Sequence, residues 1–410
     1  MILRARYILV AGTAGIENGA LRIAGGRIVE AGAEGSVLGG PVTDLGDCVI
    51  LPGLVNAHTH LELTHLAGRV PPRGDFVGWV SRLVEAMRAD GDDPDRVGEA
   101  VRRGRDLSLA AGVTTVGDIT RLPSLTRPVL APGPLRVVSF GEVIAIGRLR
   151  QRLQPRLAAA ADRAHESPWL RPGISPHSPY TLEPDGLRAC VERADEDGLR
   201  MCVHLAEIAE EAQFNTRLAG PIRDYLQRHR VWDRRIPCPG LSPVDYAAVT
   251  GVLRSTSLLA HVNYATDEEL DRIATAGAHV AYCPRTHDAF GHQPHRFREM
   301  IDRGINVCIG TDSLASNPSL SVLEELRFLH RRHPDLPAGL LLAMGTVHGA
   351  RGLGLADAVG ALAPGMQADL TVVPLDPHGP AGPVENVLQS NLQPIATCIA
   401  GQWVGPATSK

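Results

Sequence analysis

Alternating apolar and polar residues mark both ends of the chain. Near the start, GALRIAGGRIVEAG and DCVILPG place such stretches between glycines, and QADLTVVPL and ATCIAGQWV do the same near the end. A period of two is typical of β-strands with one buried face. We therefore predict a small composite β-sandwich assembled from residues 1–52 and 362–410.

A different pattern fills residues 53–361, where short aliphatic runs alternate with amphipathic helical stretches. Helical spacing is clear in TDEELDRIATAG, where Thr266 and Glu269 also have the spacing of a capping box. The aliphatic runs are GLVNAH, GVTTVGDI, LRVVSFGEVI, RPGISPH, LRMCVHLAE, TSLLAHV, AHVAYCP and INVCIGTD. Eight buried strands alternating with helices predict a (β/α)8 TIM barrel. An open doubly wound sheet is the rival fold, but no run ends in a glycine-rich phosphate loop.

Composition narrows the class of partner. Lys+Arg total 41 against 45 Asp+Glu, giving a net charge of −4 with no run of like charges, so we expect neither nucleic acid nor an anionic membrane as partner. The seven cysteines contain no CxxC pair, which favours reduced thiols. With no apolar run of about 20 residues and no signal-peptide pattern, we predict a cytoplasmic protein that binds a small molecule.

The predicted strands end in polar residues that suit metal chemistry. In a TIM barrel the carboxyl ends of all strands meet at one rim, where the active site lies. Scattered surface histidines would not be expected to recur at these positions. The residues at the ends of the runs are His58, His60, His177, His204, Glu207, His261, Cys283, His287 and Asp312.

His58 and His60 are two residues apart, so on a strand their rings project from the same face. An isolated pair of this kind would favour two exposed polar residues. Together with His204 and Asp312, however, it makes a ligand set suited to Zn²⁺ or Fe²⁺ with a position left for water. Such an ion lowers the pKa of a bound water to about 7. Proton transfer would then fall to the carboxylate of Glu207, with help from His261 and Asp312.

Five motifs resemble the amidohydrolase superfamily, in particular its nucleobase and nucleoside deaminase and chlorohydrolase branch. They are PGLVNAHTHLEL, HLAE, LLAHVNY, YCPRTH and IGTDSLAS, in the order of that family. The resemblance implies metal ligands at His58, His60, His204 and Asp312. It also implies that Glu207, His261 and Asp312 are catalytic, that His177 lies at the substrate, and that the protein forms a homodimer.

The lysine content bears on the number of metal ions. Relatives with two metals bridge them with a carboxylated lysine at a barrel strand, whereas the only lysine here is Lys410. We therefore expect one divalent ion per chain, Zn²⁺ first with Fe²⁺ as the alternative. A pair of ions bridged by a carboxylate is the alternative to a single ion.

The substrate is predicted from the same resemblance. SPHSPYT and CPRTHDAFGH are most similar to enzymes that deaminate aminodeoxyfutalosine, a menaquinone-pathway intermediate with an adenine-like base and a benzoate. Phe76 and Trp79 could stack on the base or pack a loop onto the barrel. Arg285 is the candidate for the carboxylate, since a guanidinium offers paired donors, with an ion pair to a neighbouring loop as its alternative. His287 either lines the pocket or lies in its own loop.

Three alternatives stay open. The same site would suit deamination of S-adenosylhomocysteine, methylthioadenosine or guanine, and it would also suit hydrolytic dechlorination of a chlorotriazine. A non-catalytic homologue acting as a binding scaffold is the third. Such homologues typically lose ligands, and all the metal and acid/base positions are filled here.

Overall fold

A computed structural model describes residues 1–10 and 15–404. Residues 11–14 and 405–410, which include the end of the predicted C-terminal sandwich segment and Lys410, lie outside that range. The strands are β1 (Ile2–Leu9), β2 (Gly15–Ala24), β3 (Arg27–Ala33), β4 (Val42–Asp44), β5 (Cys48–Pro52), β6 (Leu54–Thr59), β7 (Val113–Thr120), β8 (Arg136–Glu142), β9 (Leu170–Ser175), β10 (Met201–Leu205), β11 (Ser257–His261), β12 (His279–Tyr282), β13 (Asn306–Ile309), β14 (Leu370–Pro374), β15 (Ala396–Ile399) and β16 (Gln402–Val404).

The helices lie mainly between the barrel strands. They are α1 (Phe76–Asp90), α2 (Pro94–Ala110), α3 (Pro123–Leu130), α4 (Leu153–Ala161), α5 (Pro184–Asp197), α6 (Ala209–Arg217), α7 (Pro221–Arg228), α8 (Pro243–Val249), α9 (Asp267–Ala276), α10 (Pro284–Ala289), α11 (Phe297–Asp302), α12 (Val322–Arg332), α13 (Ala338–Met344), α14 (Val347–Gly352) and α15 (Pro383–Gln389). Short 3₁₀ helices span Glu34–Ser36, Leu61–Leu66 and Gly147–Arg152. Over this described part of the chain, no helix combines the length and the apolar character needed to cross a membrane.

Strands β6 to β13 form the barrel that the sequence predicts. They pair in chain order, all parallel, and each of the eight corresponds to one of the aliphatic runs. The ring closes because the N–H groups of Thr311 and Asp312 donate to the carbonyl oxygen of His58, at 3.1 and 3.0 Å. Every residue of β7 and β10 is buried, as expected of strands covered on both faces. All strand carboxyl ends therefore face one rim.

The second sheet comes from both ends of the chain, also as predicted. Its strand order is β16-β15-β14-β5-β1-β2-β3, and β4 pairs with the first residues of β1 on the same edge as β5. The sheet is mixed because β5 runs parallel to β1 while β14 runs antiparallel to β5. Only Gly53 separates β5 from the first barrel strand, and a Cβ there would lie 2.2 Å from the Thr114 hydroxyl oxygen. An ion pair of 2.5 Å between Arg136 and Asp369 joins this sheet to the barrel.

The termini of two predicted helices show how the local sequence starts and ends a helix. Helix α9 begins with a complete capping box, in which the Thr266 hydroxyl accepts from the Glu269 N–H and the Glu269 carboxylate accepts from the Thr266 N–H. Helix α5 ends at Gly198, whose left-handed conformation (φ +63°) is typical of a helix C-terminus. Both helices follow a barrel strand, and both pack an apolar face on the barrel through residues such as Leu187 and Leu270.

Candidate active site

Three histidines converge at the carboxyl ends of the first and fifth barrel strands. His58 lies in β6, His60 follows that strand directly, and His204 lies in β10. One ring nitrogen from each lies within 4.8 Å of the other two, and the Nε2 atoms of His60 and His204 are 3.4 Å apart. Lone pairs directed at one point without a proton donor between them are what a cation requires. These three residues form a metal site.

Burial keeps the three imidazoles in the form that binds a metal. It lowers the pKa of His204 to about 4, assisted by the neighbouring His177, and lowers the pKa values of His58 and His60 far below the ordinary value. His204 Nδ1 lies 3.0 Å from the carbonyl oxygen of His177, so Nδ1 carries the proton and Nε2 is free. His58 Nε2 is buried and has no hydrogen-bond partner within residues 1–10 and 15–404. A metal ion would satisfy this nitrogen.

Asp312 presents one carboxylate oxygen to the same point. Its Oδ1 lies 3.4 Å from His60 Nε2 and 3.8 Å from His58 Nε2. The other oxygen, Oδ2, accepts a hydrogen bond of 2.6 Å from the Ser316 hydroxyl, which fixes the orientation of the carboxylate. Burial raises the pKa of Asp312 to about 6. Three imidazoles and this carboxylate fit Zn²⁺ or Fe²⁺ in donor type and number.

The predicted acid/base residues lie together beside the metal site. Glu207 Oε1 is 3.3 Å from His261 Nε2, and both side chains are almost completely buried. Burial raises the pKa of Glu207 well above its usual range, and the charge of Asp312 raises it further. The histidine ring of His261 packs 5.5 Å from that of His204. A carboxyl group that keeps its proton near neutral pH can act as a general acid.

Strained backbone positions these groups. Ala206, His261 and Asp312 have positive φ angles of 49°, 74° and 58°, a conformation that costs free energy in residues other than glycine. The Glu211 carboxylate holds the first of these turns by accepting from the N–H of Ala206 and of Glu207, at 3.0 and 2.7 Å. His295 Nε2 lies 2.8 Å from the carbonyl oxygen of His261 and holds the turn at His261.

Sequence reasoning missed these supporting residues. Glu211 lies in the acidic stretch EIAEEAQF, yet its side chain is fully buried. The available signal was a glutamate at the third residue of α6, because its carboxylate accepts from the Ile208 N–H at 3.4 Å, although Ile208 has no side-chain acceptor to complete a capping box. Ser316 and His295 left no comparable signal, because each acts on a residue that is distant in sequence or on a backbone atom.

A cavity of about 560 Å³ opens from the metal site. The predicted substrate residues Phe76, Trp79 and His177 line it, and Tyr180 adds another ring. The Trp79 indole N–H donates to the Val70 carbonyl oxygen at 2.8 Å, which holds the ring against the wall. Such a volume with aromatic walls suits a ligand of nucleoside size.

Several arginines also line this cavity. Arg121 is engaged by Asp92 and by the nearby Glu62, whereas Arg88, Arg152 and Arg156 form no ion pair with any residue of the described ranges. Arg88 instead lies 3.1 Å from a ring nitrogen of His229, and Arg156 donates to the Arg121 carbonyl oxygen. The cavity wall therefore contains guanidinium groups that form no ion pair within the described residues.

The structure does not bring Arg285 or His287 to the described lining of this cavity. Arg285 lies 3.7 Å from the buried carboxylate of Glu325 and donates to the Ser319 hydroxyl at 3.0 Å, which is the structural pairing considered as its alternative. His287 Nε2 lies 2.9 Å from the Gln293 carbonyl oxygen, within its own loop. Both residues follow the carboxyl end of a barrel strand and so lie near the rim, but their side chains bond to neighbouring loops rather than facing the cavity.

Comparisons with known proteins agree with this geometry. A family described as the amidohydrolase family matches residues 49–404. A 5-methylthioadenosine/S-adenosylhomocysteine deaminase from Nitratidesulfovibrio vulgaris is 32% identical over 88% of this chain and 80% of its own length. An aminodeoxyfutalosine deaminase from Deinococcus radiodurans is 30% identical over 75% of this chain and 73% of its own length. The zinc-bound structure of an adenosine deaminase from Xanthomonas campestris shares the fold, with a TM-score of 0.85 and 22% sequence identity. The match covers 98% of this chain and 92% of that one.

Proposed function

Since this chain belongs to the amidohydrolase family and is a metal-dependent deaminase of an adenine-like base, we propose that its substrate is an adenine nucleoside with a carboxylate on its 5′ side, S-adenosylhomocysteine first. The observation that carries this proposal is the cavity itself. It joins the metal site to guanidinium groups that have no ion-pair partner in the part of the chain that the structure describes, among them Arg88 and Arg152. A carboxylate is the group that a guanidinium binds best.

The choice of S-adenosylhomocysteine changes the order of the sequence-based expectations. Aminodeoxyfutalosine was the first expectation, but the deaminases of methylthioadenosine and S-adenosylhomocysteine match more of this chain, 88% against 75%. Aminodeoxyfutalosine is the second candidate, because it also joins an adenine-like base to a carboxylate. Methylthioadenosine has no carboxylate and would leave the arginines without a partner.

We propose that His58, His60, His204 and Asp312 hold one divalent ion, Zn²⁺ first, as zinc is bound in the similar adenosine deaminase. When bound there, such an ion supplies a Lewis acid that makes water reactive at neutral pH.

The residues of the chain then provide the proton transfers. Water adds to C6 of the base, and the protonated carboxyl group of Glu207 donates to the adjacent ring nitrogen, N1. His261 Nε2, 3.3 Å from Glu207, holds the attacking water by a hydrogen bond. Asp312 accepts one proton of the water and passes it to the amine, which leaves as ammonia. As the C6 carbonyl forms, the second proton of the water returns to the Glu207 carboxylate. The products are the inosine-like nucleoside and ammonia.

The experiment is ammonia release from a panel of substrates, with metal content measured on the same sample. The panel contains S-adenosylhomocysteine, methylthioadenosine, aminodeoxyfutalosine, adenosine and guanine, with chloride release from a chlorotriazine alongside. We expect the highest kcat/KM for S-adenosylhomocysteine. A preference for methylthioadenosine or guanine, or release of chloride, would refute the carboxylate proposal, and the absence of any turnover by metal-loaded protein would refute the function.

A pair of arginine variants tests the substrate proposal directly. Arg152→Gln removes a guanidinium from the cavity, whereas Arg148→Gln makes the same change in the same 3₁₀ helix at an exposed position outside the cavity lining. We expect the first variant to raise KM for S-adenosylhomocysteine about 10-fold with little change for adenosine, in line with the loss of a charged hydrogen bond. We expect the second to match the wild type.

A further inference from the structure

One carboxylate on the cavity wall has no role in the proposed proton transfers. Glu142 is the last residue of β8, and its side chain lines the cavity with 10% of its surface exposed. Within residues 1–10 and 15–404 this carboxylate accepts no hydrogen bond. Its contact with His177, 3.6 Å between Glu142 Oε1 and His177 Nε2, is too long for a good one. A largely buried carboxylate that is not satisfied by the protein is costly unless a ligand satisfies it.

Glu142 lies between the two ends of the cavity. Towards the metal site, the His177 ring lies 5.0 Å from the ring of the metal-site residue His204. Towards the arginines, the guanidinium groups of Arg121 and Arg156 are close enough to act electrostatically on the Glu142 carboxylate. Glu142 therefore adjoins both residues of the metal site and guanidinium groups of the cavity wall.

Two other carboxylates line this region, and both are bonded within the protein: Asp92 pairs with Arg121, and Glu62 accepts several hydrogen bonds. Its oxygens accept from the Thr120 hydroxyl at 3.0 Å and from the N–H groups of Arg121 and Leu122 at 3.2 and 3.3 Å. These bonds occupy the Glu62 carboxylate with the protein itself. Glu142 is thus the carboxylate available for a ligand in the middle of the cavity.

We propose that Glu142 binds the ribose of the substrate by accepting hydrogen bonds from its 2′- and 3′-hydroxyl groups. This inference rests on the proposed function, in which the base lies at the metal site and the 5′ substituent at the arginines, so that the ribose lies between them. Two neighbouring hydroxyl donors match the two oxygens of one carboxylate, and Asp or Glu binds the ribose hydroxyls of dinucleotides in the same way. Glu142 is therefore a determinant of specificity for ribonucleosides.

The test measures kcat/KM for adenosine, 2′-deoxyadenosine and 3′-deoxyadenosine with wild type and with Glu142→Gln. Because a site built to bind a hydroxyl group penalises its loss, we expect the wild type to prefer adenosine over either deoxy analogue by about 10- to 100-fold. We expect Glu142→Gln to lower kcat/KM for adenosine by a similar factor and to reduce the preference to less than about threefold. Glu192→Gln, the same change at an exposed position of α5, should match the wild type.

The outcomes separate this inference from the proposed function. If the wild type deaminates adenosine but Glu142→Gln loses the same factor on all three nucleosides, Glu142 has only a structural role and the inference is wrong while the function stands. If Glu142→Gln is impaired on S-adenosylhomocysteine but not on adenosine, the carboxylate binds the substrate ammonium instead, and the inference is again wrong. If the wild type deaminates no adenine nucleoside, the proposed function fails first.

Discussion

The substitution Glu207→Gln isolates proton transfer from every other property of the site. Gln has the same shape, and the bonds that position residue 207 use its backbone: its N–H donates to Glu211 at 2.7 Å and its carbonyl oxygen accepts from Asn263 at 2.9 Å. An amide can still face His261, but it has no carboxyl proton to donate to the base. Fold and metal binding should therefore be unchanged.

The expected loss follows from the role of that proton. General acid/base catalysis by one positioned group contributes about 10²- to 10⁴-fold, equivalent to about 3–5 kcal/mol of transition-state stabilisation. We expect kcat/KM for the best adenine nucleoside to fall by that factor, mainly through kcat, because Glu207 donates only as the reaction proceeds.

The assay is steady-state ammonia release by protein of verified metal content and melting temperature. Glu210→Gln is the matched control, since it makes the same change three residues later in α6, outside the cavity lining. Glu207→Gln with full metal content and kcat/KM within about threefold of the wild type would refute the assignment of Glu207 as the proton donor. A loss of metal in this variant would contradict the assignment of Glu207 as a residue that does not bind the metal.

Further predictions concern the metal, Arg285 and a buried arginine. His60→Ala should lose bound metal and turnover together, measured by elemental analysis and ammonia release, and full metal content would contradict its place among the ligands. Arg285→Gln should leave KM for S-adenosylhomocysteine unchanged while lowering the free energy of unfolding by about 1–3 kcal/mol, because Glu325 keeps a buried charge; a 10-fold higher KM would return Arg285 to the substrate. Arg327→Met should cost about 3–5 kcal/mol in denaturant unfolding, because carbonyl oxygens such as that of Val387 lose their buried donor, and a cost below about 1 kcal/mol would contradict this.

Sequence reasoning was most reliable for residues placed by strand position. His58 and His60 lie two apart at the end of one strand, and a parallel barrel brings all such ends to one rim, so their approach to His204 could be predicted without coordinates. It was least reliable in predicting which arginine side chains face the cavity. Arg285 also follows a barrel strand, yet its side chain turns to Glu325, whereas Arg152 reaches the cavity from a short helix with no distinguishing motif.

By itself, the sequence determined the eight-stranded barrel, the sheet shared by both ends and the three histidines of the metal site, because hydrophobic periodicity and strand-end position are local properties. Only the tertiary structure decided which side chains are already satisfied by the protein. Glu62 and Arg285 are bonded to neighbours, while Glu142 and Arg152 face the cavity with capacity to bind. That difference depends on contacts between residues far apart in the chain, and it is what turns a metal-dependent barrel into a site for a particular substrate.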